Sequence, residues 1–347
     1  MKWKDLILVA VMTAIAWGIS FFVIYDISSL PLFSGGSVPD VEISDLYNAV
    51  GNRASTSMKA KNTTIVSIDG CSRREIADAI EMISSMEPSA LGLDVFFMIE
   101  DADGDAIRDA LMDIPSLVLP FDIHHPESVS YFHDSIPGAK TGYVNIISTN
   151  ATGMVRDYSV SQDGFPSFPY ALAGEPPIAS FNIIRFDGKQ IPVIRASELS
   201  MKDEPDIRNH IVILGGLDDP SDMYNTPLGH HTPGVIIHAL VTEMISTGEF
   251  IRRSPPWVET ALALGLCFVF LFFMLLAKRY YDDAGTFFMR IVQLILIFVL
   301  FVLGCRMYIA KGLYLNLSFS ITMLALGSLV FDIVAGAWVL FAKDKKL

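Results

Sequence analysis

The sequence predicts an α/β domain, mainly a parallel sheet with an antiparallel extension, carried on four transmembrane helices. Three observations carry this. Hydrophobic residues make up 52% of the 347, and many of them gather in four long runs. The stretch between the first and second runs alternates short β-branched segments with helical ones. That middle stretch is also where the acidic residues collect: residues 26–256 hold 32 Asp and Glu against 15 Lys and Arg, a net charge of −17.

The apolar runs are 6–25, 257–277, 291–309 and 314–342. A helix needs about 20 apolar residues to cross a bilayer, and each run meets that within error. The first carries a Trp and no small-residue cleavage site, so it reads as an uncleaved anchor. Lys2 and Lys4 precede it, Lys278, Arg279 and Arg290 bracket the loop between the second and third runs, and three lysines follow the fourth. Basic flanks face the cytoplasm. Residues 1–5 and 343–347 are therefore expected inside and 26–256 outside, and Arg252 and Arg253 run against that pattern.

In the outer domain, 30–40 (LPLFSGGSVPD) reads as a loop. TIVSI, within 62–70, is a short β-branched run ending at Asp69-Gly70. Ile76, Ala79, Ile80, Ile83 and Met86 then recur at helical spacing, with Pro88 just beyond. ALGLDVFF (90–97) is a second strand, DADGDAIRDALMD (101–113) a polar start running into helix, and SLVLPFDI (116–123) a third strand. Alternation of this kind gives parallel neighbours. Between 125 and 200 the pattern shortens: 142–146, 155–164, 181–186 and 191–196 read as an antiparallel extension, with a hairpin turn at 186–189 and a brief helix at 168–174. HIVILGG (210–216) returns to a buried strand. PGVIIHALVTEMISTG (233–248) reads as a helix capped by Thr232, with Pro233 at its first position and Gly248 as its stop.

There are three cysteines, and Cys267 and Cys305 lie in apolar runs. Cys71 alone is in the outer domain, so no disulfide forms within it, which suits a bacterial periplasm. The acidic charge excludes nucleic acid as a partner.

Several pieces, in order, resemble one family: TIVSIDG, ALGLDVFF, SLVLPF, GYVNI, TGMVRDYSV, HIVILGG and the string DMYNTPLGHHTPGVIIHALVTEMISTGEFIRR. Together they span about 62–253 and are similar to the extracellular CHASE sensor domain of type 2 (CHASE2). The layout of one span, the sensor and three further spans matches too. The resemblance implies a ligand sensor of the bacterial inner membrane. In that family the last span usually runs on into a cyclase or kinase. Only KDKKL follows Ala342 here, so a separate signalling subunit, another membrane protein or a second copy of this chain is the implied partner.

Ligands in open α/β sheets bind beyond the carboxyl ends of the strands. Asp69, Asp94 and Asp122 end the first three strands, and Asp222, Thr226 and His238 follow the last. They are the candidate ligand residues, suited to a small polar or cationic molecule. His230, His231 and His238 are spaced for a metal, but a loop position and no HExxH make them poor ligands, and no cofactor is expected. DADGD lacks the order of a calcium loop. In the last span, Asp332 lies among the small residues Gly327, Ser328, Ala335 and Gly336. Ionisable groups in membranes face protein, and small residues allow close helix contact, so this is the expected partner surface. A structural subunit of a membrane complex is the alternative function, and a metal-dependent periplasmic enzyme the third.

Overall fold

The computed structural model describes residues 3–23, 42–55, 58–146, 153–179, 181–186 and 188–344. The chain divides into two units, 1–47 with 252–347, and 48–251. The 30–40 loop expected from the sequence lies outside the described residues.

In the second unit, a six-stranded sheet is built from β1 (Thr63–Ser67), β2 (Ala90–Asp94), β3 (Leu117–Phe121), β4 (Lys140–Tyr143), β9 (Val193–Arg195) and β10 (Ile211–Gly215). The order is β4-β3-β2-β10-β1-β9 and every pairing is parallel. Short pieces complete the strand set: β5 (Asp157–Ser159) pairs with β8 (Phe181–Ile183), β6 (Ser161–Gln162) with β7 (Phe165–Pro166), and β11 (Met223–Thr226) with β12 (Gly229–Pro233).

Alternation along the strands gives the sheet two apolar faces. Val66, Leu91, Leu93, Leu119, Val212 and Leu214 point to one face, against α3 (Arg73–Ser85) and α4 (Ala102–Met112). Ile65, Ala90, Val118, Ile211 and Ile213 point to the other, against α5 (Phe168–Leu172) and α6 (Gly234–Thr247). α3 starts where the sequence places it. Ser72 accepts from the Glu75 amide while Glu75 returns a bond to the Ser72 amide, which satisfies two orphan donors at the helix start. Asp101 caps α4 by accepting from Gly104 at 2.7 Å, so DADGD is a helix start. α6 is buried on most of its circumference and largely apolar, with His238, Thr242 and Glu243 as its buried polar residues: beyond the sheet, Ile237, Leu240, Val241 and Met244 pack on Val155, Ile184 and Phe186.

The antiparallel extension is smaller than the sequence suggests. The 191–196 run supplies β9, a parallel edge strand on β1, and the 142–146 run begins within β4. Runs this short do not reveal strand direction, so the sequence does not distinguish these parallel strands from antiparallel ones. The 186–189 turn does not join a hairpin, since β8 pairs with β5 and β9 with β1; Asp187 itself lies outside the described residues. Thr232 is not the cap of α6. It lies in β12, and Pro233 takes the cap position, while Gly248 closes the helix in the left-handed conformation (φ 69°) as expected.

Helix α2 (Ile43–Ser55) was not anticipated. Its residues through Tyr47 belong to the first unit, where the Tyr47 ring stacks among Phe301, Tyr308 and Tyr314. In the second unit Asn48 accepts the Phe186 amide at 3.2 Å.

The first unit contains α1 (Trp3–Phe21), α7 (Pro256–Lys311) and α8 (Ser318–Asp344), with β13 (Arg252–Arg253) paired to β14 (Leu313–Tyr314). By length and composition three helices among the described residues are long and apolar enough to cross a membrane. Two of the expected spans, 257–277 and 291–309, thus lie in one helical stretch of 56 residues, and the expected loop between them reduces to a break at Asp282 (φ 50°, ψ −131°). Large apolar side chains face outward along all three, among them Ile7, Val269, Phe298 and Ile333.

Candidate functional site

The carboxyl edge of the sheet has a switch point. β2 leads to α4 on one face, whereas its neighbour β10 leads to α6 on the other. Chains that diverge in this way leave a crevice between the strand ends. Asp94, the last residue of β2, sits there, paired in register with Gly215 of β10. A Cβ on Gly215 would fall 2.8 Å from Val235 and 3.3 Å from the Asp94 Cβ, so glycine is what lets α6 approach the strand ends.

The Asp94 side chain is half-buried, and no described residue hydrogen-bonds its carboxylate. Burial pushes its pKa up to about 7, because a carboxylate withdrawn from water without compensating donors favours its neutral form. Asp222 lies nearby. Burial raises its pKa and the Asp94 charge raises it further, while His238, the Tyr224 hydroxyl and the Gly234 amide oppose the rise. A Cβ on Gly234, the first residue of α6, would fall 2.5 Å from both Asp222 oxygens. The α6 N-terminus, which in related architectures is free to receive phosphate, here receives the protein's own carboxylate. That arrangement disfavours an anionic ligand and favours a cation, an amine or a hydroxyl-rich molecule.

His238, on α6, is buried; it hydrogen-bonds through Nε2 to the Val144 carbonyl at 3.1 Å and stands edge-on to Phe168. Burial lowers its pKa to about 4, against the pull of Asp222 and the Val144 carbonyl. It is a neutral imidazole at pH 7. Tyr224 was not singled out from the sequence. Burial raises its pKa, with Asp222 and Asp94 adding to the rise. Asp222 ends the short turn 220–222 and Tyr224 lies in β11, so no regular spacing in the sequence links the two.

The structure brings Asp94, Asp222 and His238 together and sends the other candidates elsewhere. Asp69 accepts the Ser67 hydroxyl at 2.6 Å and the Leu217 and Asp218 amides at 2.8 and 3.3 Å, fastening the loop after β10. It lines a separate open cleft with Arg195, Glu198 and Asp218. Asp122 holds the His124 amide and the Asn145 side chain, each at 2.8 Å. Burial would raise its pKa, but those bonds prevail and lower it. Thr226 is buried inside the β11–β12 hairpin, bonded to Thr232 at 2.8 Å. His230 and His231 belong to β12 rather than to a loop; the His230 side chain lies outside the described residues, and His231 has a positive φ of 62°. Among the described residues no cluster of three His, Cys, Asp or Glu is placed to hold a metal ion.

In the helical unit, Asp332 pairs with Arg290 of α7. An ideal Cβ on Gly327 lies 3.6–3.7 Å from Phe270 and Cys267, so that residue packs on this chain's own α7. Ser328 and Ala335 are half-buried, and a Cβ on Gly336 would meet nothing within 4 Å. Gln293 adds a second polar tie, donating to the carbonyls of Leu324 and Ala325.

The chain thus joins a doubly wound domain, with two acids at its switch point, to long apolar helices. The CHASE2 domain family matches residues 56–277, well over half of the chain, and the protein belongs to that family. CHASE2 domains are extracellular sensory domains. Comparison with curated proteins and with solved structures gave no match.

Proposed function

We propose that this protein is an inner-membrane sensor whose outer domain takes a small cationic or polar ligand between Asp94 and Asp222. One observation carries the reading: the Asp94 carboxylate, half-buried at the switch point and bonded to no described residue. An acid held there costs stability, and a ligand that donates to it recovers what burial removed. Four membrane crossings, with the break at Asp282 as a cytoplasmic turn, fit the basic flanks better than three. The proposed relay runs through contacts of the apolar helices to a separate signalling subunit. Ala335 and Gly336 offer the open small-residue surface for it, while Asp332 is already neutralised by Arg290.

The test is thermal unfolding of the full chain in nanodiscs, screened against divalent cations, primary amines and neutral sugars. A probe at a hundred times its Kd adds about 2.7 kcal/mol to the stability of the bound state. Asp94→Asn is expected to abolish the response and leave the protein folded. A response that survives in Asp94→Asn would place the ligand elsewhere.

A further inference from the structure

A cavity of about 30 Å3 lies behind His238, between α6 and the antiparallel extension, lined by Tyr143, Tyr158, Ser167 and His238 among others. Its walls, though largely apolar, carry several hydroxyls. Tyr158 Oη and Ser167 Oγ are both buried with no hydrogen-bond partner among the described residues, and Ser167 as a whole is only 5% exposed. Tyr143 donates its hydroxyl to the Ser159 carbonyl at 2.9 Å, and its oxygen lies beside the Ser167 hydroxyl, whose approach opposes the rise that burial gives the phenol's pKa; that oxygen can accept from the Ser167 hydroxyl or from a water. Buried hydroxyls are rarely left unbonded, because each forfeits the hydrogen bonds it makes in water.

The volume decides the guest. A water needs roughly 10–15 Å3 of such space and two to four polar partners. A space of that size suits two or three waters at most and no larger molecule. We infer that it is a buried hydration site in which ordered water bridges Tyr158 Oη to Ser167 Oγ, with the Tyr143 oxygen as a third partner. The water joins residues from three places in the chain: the end of β4, β5 and the cap of α5. It fastens the extension to the sheet beside the helix that carries His238. This inference is independent of the ligand proposed for Asp94.

The sign of one substitution tests it. If Tyr158 Oη is bonded to water, Tyr158→Phe removes a made bond; if the hydroxyl is an orphan, the same change relieves it. Thermal unfolding of the full chain is expected to show Tyr158→Phe and Ser167→Ala each lowered by about 2–4 °C. The double variant should lose less than the sum, because both hydroxyls serve one water. An unchanged or raised midpoint for Tyr158→Phe overturns the proposal, as does full additivity. A high-resolution structure of the full chain should show water density within hydrogen-bond distance of both hydroxyls, and an empty cavity there would also overturn it.

Discussion

Asp94 and His238 both act on Asp222, and they respond oppositely to pH. Asp94 has its folded pKa raised from 3.8 to about 7, so its share of stability is complete below pH 3.8 and lost as pH rises toward 7. His238 has its pKa lowered from 6.5 to about 4, so its share is complete above pH 6.5 and lost as pH falls toward 4. Between those limits the two slopes oppose. Unfolding midpoints taken from pH 4 to 8 should show Asp94→Asn gaining on the parent as pH rises and matching it near pH 4. If the gap stays constant across that range, Asp94 is not the titrating group. A second buried acid makes a different prediction. Glu243 of α6 is 1% exposed and accepts the Lys61 and Asn62 amides at 2.8 and 3.0 Å, with Lys189 alongside. Glu243→Ala leaves those donors unmatched and is expected to cost about 3–5 kcal/mol in denaturant titrations, Glu243→Gln clearly less. The sequence marks Asp94 only as one of several strand-end acids and gives no sign of the role of Glu243. A carboxylate at a strand end looks the same whether it is left without a hydrogen bond among the described residues, as Asp94 is, or ties a loop, as Asp69 does. Only the position of the loop backbone separates them.

At the scale of elements, short helix α5 lies directly on two strands, and glycine makes that possible. A Cβ on Gly142 of β4 would stand 2.5 Å from the Phe168 Cα, which is backbone and cannot turn aside. A Cβ on Gly92 of β2 would meet only the ends of the Leu172 and Phe168 side chains, at 2.7 Å. Gly142→Ala should therefore lose about 1–3 kcal/mol and Gly92→Ala less, measured by chemical denaturation. The reverse ranking would mean that α5 shifts as a body. The elements themselves were largely readable. Buried strands, the capped α3 and the apolar α6 each carry a local signature in the chain. Strand direction does not, which is why 191–196 passed for antiparallel. Helix α2 escaped because its short run of residues 43–55 is nearly neutral in hydropathy and follows a Gly- and Pro-rich stretch.

For the whole molecule, orientation is the claim to test. In a protein with Cys71 replaced by Ser, a cysteine at Ser200 should react with an impermeant thiol reagent on spheroplasts. One at Asp283, next to the break in α7, should react only after the membrane is opened. Both ends of α7 meet at the β13–β14 pair, so labelling of Asp283→Cys in closed spheroplasts would put the break at Asp282 outside and overturn the orientation.

The strand order has a consequence for how the domain is made. β10 is the last strand of the sheet to be synthesised, yet it lies between the first two. Until residue 215 has been exported, β1 and β2 have no contact across the middle of the sheet and each shows a bare inner edge. Unpaired edges invite pairing with other chains, and distant closures are slow. A chain stalled in secretion before residue 211 is then two incomplete half-sheets, open to proteolysis and clumping, and the arrival of β10 and α6 closes both at once.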